Sequence, residues 1–264
     1  MTAPRCSGRA THGTCNDQLA AMTTRIRADR LLLERGLFDS RARAQAAIAA
    51  GLVTADGVPV RRASDMVARD AALQSAPAHP WVSRGGVKLA AALDHFGFDP
   101  RGRIGLDVGA STGGFTDVLL ARGARRVYAV DVGRDQLHVT LRSRPEVVSL
   151  EATDIRNLDR RLVPDAPGVI VVDVSFISLR LVLPHALALA ESAAQLVALI
   201  KPQFEAGRQH LKKGIVRDPL VQQHVCLDIT DAVRGLGWAV VGVMESPIEG
   251  GDGNREFLIG ATRP

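Results

Sequence analysis

Four ionisable residues occupy positions from which a folded chain could use them together. Lys88 lies in Ser83-Arg84-Gly85-Gly86-Val87-Lys88, Asp173 ends the apolar run Val-Ile-Val-Val-Asp, Lys201 sits in Leu-Ile-Lys-Pro-Gln-Phe, and Glu256 follows Gly253-Asn254-Arg255. A charged residue that terminates a buried strand faces the crevice where open α/β sheets bind their ligands. Strand ends carry polar residues routinely, so one such residue alone says little. Asp173 and Lys201 each end such a run, and a Lys-Asp-Lys-Glu set gathered at the active edge of one sheet says much more than any one of its members.

A second constellation is suited to a ligand. The run Asp107-Val108-Gly109-Ala110-Ser111-Thr112-Gly113-Gly114-Phe115-Thr116 closes one predicted strand and opens a helix. Its glycines allow a ligand close to the backbone. The pattern is not G-x-G-x-x-G, and it lacks the Lys-Ser/Thr of a phosphate-cradling loop. Asp131 closes the next strand 24 residues after Asp107, where a carboxylate can accept both hydroxyls of a ribose. Asp154 follows the third strand and either accepts from an adenine amino group or caps a helix. Together these describe adenosine without pyrophosphate, and S-adenosylmethionine is the adenosyl cofactor that fits. Asp107, Gly109, Ser111, Gly113, Gly114 and Phe115 are expected around its amino-acid end, Asp131 at its ribose and Asp154 at its base. No metal site is expected: Cys6, His12 and Cys15 fall short of the four ligands of a closed zinc site.

Helices and strands must position these groups. From Trp81 onward they alternate as in a doubly wound, mostly parallel sheet. The pattern predicts a helix over 86–96, strands over 103–108, 125–131, 147–150, 169–173 and 195–201, a helix over 219–236, and closing strands over 238–245 and 256–261. Ahead of this, Asp29 is expected to cap a helix ending at Gly36, and Ser40 a second one with an Ala44-Ala47-Ile48 stripe. Residues 52–60 alternate around Asp56-Gly57, a hairpin signal. Pro77-Ala78-His79-Pro80 reads as a stiff linker. The predicted organisation is a disordered tail at 1–24, with Met22 a candidate start, a small α+β domain at 25–75, a linker at 76–82 and a large α/β domain at 83–264.

Charge and composition narrow the classes. Of 264 residues 46% are hydrophobic, enough for a large core, and the net charge of +5 is weighted to the front, where residues 25–75 carry nine Arg against six acids. That bias suits a polyanion or a solvated face. Three cysteines, an odd number, point to a reducing, cytoplasmic compartment. The richest apolar stretch, Leu179 to Ala190, is interrupted by Arg180, Pro184 and His185, which argues against membrane insertion. Cys226 lies mid-helix, more like core than a nucleophile for attack on a pyrimidine. Asp173-Val174-Ser175-Phe176 replaces the Asn/Asp-Pro-Pro-aromatic motif of amine methylation, so oxygen is the better methyl acceptor. Phe176 fits either stacking on a flipped base or packing.

The front segment LLLERGLFDSRARAQAAIAAGLVTADGVPV resembles the S4 RNA-binding domain. Its Arg30, Arg41, Arg43, Arg61 and Arg62, with Arg84 beyond the linker, become candidate RNA contacts. The Lys88-Asp173-Lys201-Glu256 set resembles that of the FtsJ-like ribose 2'-O-methyltransferases. With D-V-G-A-S-T-G-G-F-T, D-V-S-F-I-S-L and K-P-Q-F-E, the chain from Arg27 to Thr262 resembles the TlyA family. That resemblance implies a Rossmann-like class I methyltransferase fold, ribosomal RNA or ribosomal subunits as partner, and methylation of a cytidine ribose 2'-hydroxyl. Lys201 is then assigned as base, in the neutral form that desolvation favours and Asp173 opposes. Asp173 orients it, and Lys88 and Glu256 position the reactants. A non-catalytic ribosome-assembly factor and a membrane-active hemolysin are the competing readings; no feature announces an oligomer interface, so a monomer is expected.

Overall fold

The structure is a computed structural model describing residues 24–250 and 253–264. The expectations for residues 1–23, including the Met22 start and Cys6, His12 and Cys15, lie outside the described residues. The chain divides into two compact units that part between Ala78 and His79.

The first unit runs β1 (Arg25–Arg27), α1 (Ala28–Glu34), α2 (Arg41–Ala49), β2 (Val53–Ala55), β3 (Val58–Pro59), β4 (Met66–Ala68) and β5 (Leu73–Ser75). β1 pairs antiparallel with β4, and β2 lies between β3 and β5. Ser40 caps α2 by accepting from the Arg43 amide, and the stripe Ala44, Ala47 and Ile48 is buried against Ala28, Leu32 and Val53. Asp56 and Gly57 turn the hairpin at φ +52° and +76°, the pair of left-handed residues that matches strand twist. One expectation is corrected: the N-cap of α1 is Arg27, not Asp29. Asp29 turns inward, fully buried, and accepts from the Arg27 guanidinium at 3.0 Å, Arg41 at 2.9 Å and Gln45 at 3.1 Å. The hydrogen-bonded Arg27 and Arg41 hold its carboxyl well below the usual carboxylate range, against the effect of burial.

The second unit opens with α3 (Gly85–Phe96), followed by β6 (Ile104–Val108), α4 (Gly114–Ala121), β7 (Arg126–Val130), α5 (Val139–Arg142), β8 (Val147–Leu150) and β9 (Val169–Val172). It continues with α6 (Leu179–Ala188), β10 (Gln195–Ile200), α7 (Pro202–Glu205), α8 (Pro219–Gly235), β11 (Ala239–Glu245) and β12 (Phe257–Thr262). The seven strands lie in the order β11-β12-β10-β9-β6-β7-β8, with β12 antiparallel to both neighbours. This is the expected mostly parallel, Rossmann-like α/β sheet. Alternation sorts the strand residues between two cores: Leu106, Ile170 and Leu196 pack with α6 and α8, whereas Val127, Val171 and Val197 pack with α3 and α4. β6 and β9 are neighbours whose next strands run to opposite edges, so a crevice opens at their carboxyl ends. Three strands stop one residue short of the predicted ends. Asp131, Asp173 and Lys201 therefore follow their strands and carry their side chains beyond the ladder.

Candidate active site

At the switch point Gly109 adopts φ +84°. A Cβ there would lie 2.3 Å from the Asp173 carbonyl oxygen, so glycine is what allows the β6 and β9 ends to close on each other. The neighbouring Asp131 carboxylate accepts from the Ser111 amide at 2.8 Å through Oδ2 and from the Gly133 amide at 2.7 Å through Oδ1. Both oxygens are thereby fixed, and each retains a lone pair. A cavity of about 320 Å³ collects Gly109, Ser111, Asp131, Thr153, Asp154 and Asp173. Asp154 caps the 3-10 turn Ile155–Asn157, and its hydrogen-bonded Arg156 holds the carboxyl down to about 2. The capping alternative is thus present, at the cavity's edge.

Not every residue of the glycine loop lines this cavity. Phe115 is buried in the core beside α3. Gly114 keeps α4 close to α3, since a Cβ there would meet the Ser83 hydroxyl and the Gly86 amide, and a Cβ on Gly113 would meet Leu141. Asp107 is completely buried beneath the loop. Its Oδ2 accepts from Thr116 Oγ1 at 2.7 Å, while Oδ1 has no hydrogen-bond partner among the described residues. Desolvation pushes this carboxyl up to about 7.

The four predicted catalytic residues form two ion pairs. Lys88, on α3, donates to Glu256 Oε2 at 2.5 Å, and both side chains are buried. Lys201, just after β10, lies 2.6 Å from Asp173 Oδ1 and donates to Ser175 Oγ at 2.9 Å. Lys201 and Glu256 line a second cleft of about 460 Å³ together with Gln203, Phe204 and Asn254. Ser175 and Phe176 belong to the walls of both cavities. The two spaces therefore adjoin at one loop, with Asp173 facing the first and Lys201 the second. Phe176 sits there at φ +65°, 90% exposed, its ring 4.9 Å from that of Phe204. A bulky residue in that backbone region is strained, a feature that clusters at functional sites.

Sequence reading missed the residues that hold this loop. Glu205 accepts from Ser178 Oγ at 2.6 Å and from the Leu179 amide at 2.8 Å, tying the Lys201 segment to the start of α6. It is the last letter of the K-P-Q-F-E motif, and an acid placed to meet a helix N-terminus was the available signal. Ser175 lay within the quoted Asp173-Val174-Ser175-Phe176 string. Cys226 is half-buried in α8, and burial pushes its thiol up to about 11, which removes it as a nucleophile near neutrality.

Among the candidate RNA contacts, Arg30 pairs with Glu34, Arg41 with Asp29 and Arg43 with Asp39. Arg61, Arg62 and Arg84 are exposed, and none of the three has an ion-pair partner among the described residues. No described helix is long and apolar enough to cross a membrane.

Two lysine–carboxylate pairs beside a cavity at the switch point of a seven-stranded sheet suit a methyltransferase, and residues 81–263 match the FtsJ-like methyltransferase family while residues 26–72 match the S4 domain. The chain is 43% identical to the 16S/23S rRNA (cytidine-2'-O)-methyltransferase TlyA of Mycobacterium tuberculosis, over 90% of either protein. It is 38% identical to Hemolysin A of Brachyspira hyodysenteriae, over 88% of this chain and 98% of that one. A solved chain from Streptococcus thermophilus, described as a candidate hemolysin, superposes with a TM-score of 0.72 at 39% identity, covering 91% and 89% of the two chains. The chain belongs to the TlyA family of S4-containing, FtsJ-like methyltransferases.

Proposed function

We propose that this enzyme transfers a methyl group from S-adenosylmethionine to a cytidine ribose 2'-hydroxyl in ribosomal RNA. The observation that carries the reading is the Asp173–Lys201 pair placed where two cavities adjoin, one with the ribose-binding geometry of Asp131 and one open to a substrate. The donor set fits the cofactor. Asp131 would hold the ribose hydroxyls, Gly109 and Ser111 would accommodate the backbone approach, and the orphaned Asp107 Oδ1 suits the ammonium of its amino-acid end. Asp154 would meet the base from the cavity edge. When bound, the cofactor supplies an already activated methyl group.

The chain's own residues then have to align the hydroxyl and remove its proton. Lys201 is the group assigned to take up that proton, and Asp173 and Ser175 fix its direction where the two cavities adjoin. Lys88 and Glu256 form the inner wall against which the target ribose is aligned. Residues 25–75 dock RNA through Arg30, Arg41, Arg43, Arg61 and Arg62, residues 76–82 link, and residues 83–264, with Arg84 at their start, perform the transfer. The working state is a cytoplasmic monomer acting on ribosomal subunits or their RNA.

The test is tritiated-methyl transfer to purified small subunits, large subunits and naked ribosomal RNA, with the modified ribose mapped afterwards. A 2'-O-methylcytidine is expected. Cofactor binding without incorporation into any of the three would favour an assembly factor instead.

A further inference from the structure

The second unit neutralises most of its arginines internally: Arg122, Arg126, Arg142, Arg156, Arg180 and Arg255 each pair with a carboxylate. The segment 207–217 departs from this pattern. Arg208, Lys212, Lys213 and Arg217 are all exposed, and none has an ion-pair partner among the described residues. Asp218, the next residue, is occupied in capping α8.

This cationic segment is built rather than loose. Lys212 and Ile215 exchange backbone hydrogen bonds at 3.0 and 3.1 Å, so Lys213 and Gly214 form a two-residue turn at φ +53° and +79°. The Asn254 amide donates to the Gly214 carbonyl at 3.3 Å, and buried Gln222 donates to the Val216 carbonyl at 2.7 Å. Leu211 and Gly214 line the same cleft as Lys201 and Glu256. A left-handed turn position favours Gly, Asn or Asp. Here it carries a lysine, which places a full charge at the tip of a fixed hairpin on the rim of the methyl-transfer cleft.

We propose that the Lys212–Lys213 hairpin is a phosphate-docking site of the catalytic domain, engaging the RNA backbone beside the target nucleotide. The inference rests on the RNA-methyltransferase reading and adds to it a second point of RNA attachment, separate from the S4 domain. Ammonium groups on a rigid turn neutralise phosphates without reading sequence, so the site contributes affinity and register rather than base choice. RNA is favoured over an anionic membrane because the hairpin borders the cleft that holds the reacting groups and carries no exposed aromatic or long apolar side chain at its tip.

The test is the double variant Lys212→Gln/Lys213→Asn, in which asparagine keeps the left-handed turn while removing its charge. The KM for the methylated RNA should rise about tenfold, with kcat within about twofold and a log–log salt dependence shallower by roughly 1 to 2 units for two lost phosphate contacts. The cofactor Kd and the Tm should stay at wild-type values. An unchanged KM and salt slope would overturn the proposal. So would an unchanged KM for RNA accompanied by lost binding to phosphatidylglycerol vesicles, which would make the hairpin a membrane contact. Should the wild-type enzyme methylate no RNA, the functional reading fails by itself. The hairpin is then judged by fluorescence anisotropy on a ribosomal RNA fragment, where the variant must bind more weakly than wild type.

Discussion

Two lysine–carboxylate pairs of similar length stand in different surroundings. Lys88–Glu256 joins α3 to the residue just before β12, and Glu256 is 3% exposed and takes a further contact from Gln203. Lys201–Asp173 joins two adjacent strand ends, with Asp173 22% exposed and each partner facing a cavity. In the more deeply buried pair only Glu256 borders a cavity, and Lys88 is enclosed. The open pair can release one hydrogen bond and form another to a substrate hydroxyl. One pair therefore builds the wall, and the other meets the reacting atoms.

The largest expected effect breaks the open pair. Lys201→Ala should lower kcat by about 10²- to 10⁴-fold, the usual worth of a positioned acid or base, while cofactor Kd and Tm change little. Methyl incorporation at saturating RNA and calorimetry with cofactor supply the two readings. Undiminished turnover would remove Lys201 as the base.

Breaking the more deeply buried pair should act first on stability. Lys88→Ala leaves Glu256 buried without its counter-charge, a change that costs about 3–5 kcal/mol. Replacing both by apolar residues of similar size, Lys88→Met with Glu256→Met, should recover most of that loss while turnover stays low. Urea unfolding of the single and double variants measures this directly. If the double variant is as unstable as the single one, the two pairs do not differ in the way the burial indicates.

The contrast also explains what the sequence could announce. Asp131, Asp173 and Lys201 were legible because each follows a continuous apolar run, and such runs end where a strand leaves the core. Ser40 was legible as a cap because its partner, the Arg43 amide, is three residues away. Asp29 looked equally like a cap, and was not, because Arg41 and Gln45 reach it from α2. Lys88 and Glu256 are 168 residues apart. Their residue types could be singled out, but their pairing could not, since no local pattern spans that distance. The Glu205 clamp joins α7 to the start of α6 across 26 residues, so the helix it caps could be identified only with the fold.

Asp107 sharpens the comparison because it is a sealed carboxylate without the cation that Glu256 has. Its folded value of about 7 lies above the ordinary 3.8, so the folded protein binds the extra proton across that window. By linkage the cofactor-free protein loses stability as pH rises from about 4 to about 7. A bound ammonium next to Oδ1 favours the ionised form and reverses the preference. S-adenosylmethionine should accordingly bind up to about tenfold more tightly for each pH unit gained below 7, as expected when binding requires one proton to leave, and more weakly again above about 8, where the cofactor's own α-amino group loses its proton. Asp107→Asn should flatten that profile and weaken binding most at the alkaline end. Titration calorimetry between pH 5.5 and pH 8.5, the extremes chosen to bracket the folded value of about 7, reads both effects. A wild-type profile as flat as that of the variant would mean that Asp107 keeps its proton with the cofactor bound and serves the loop through Thr116 alone.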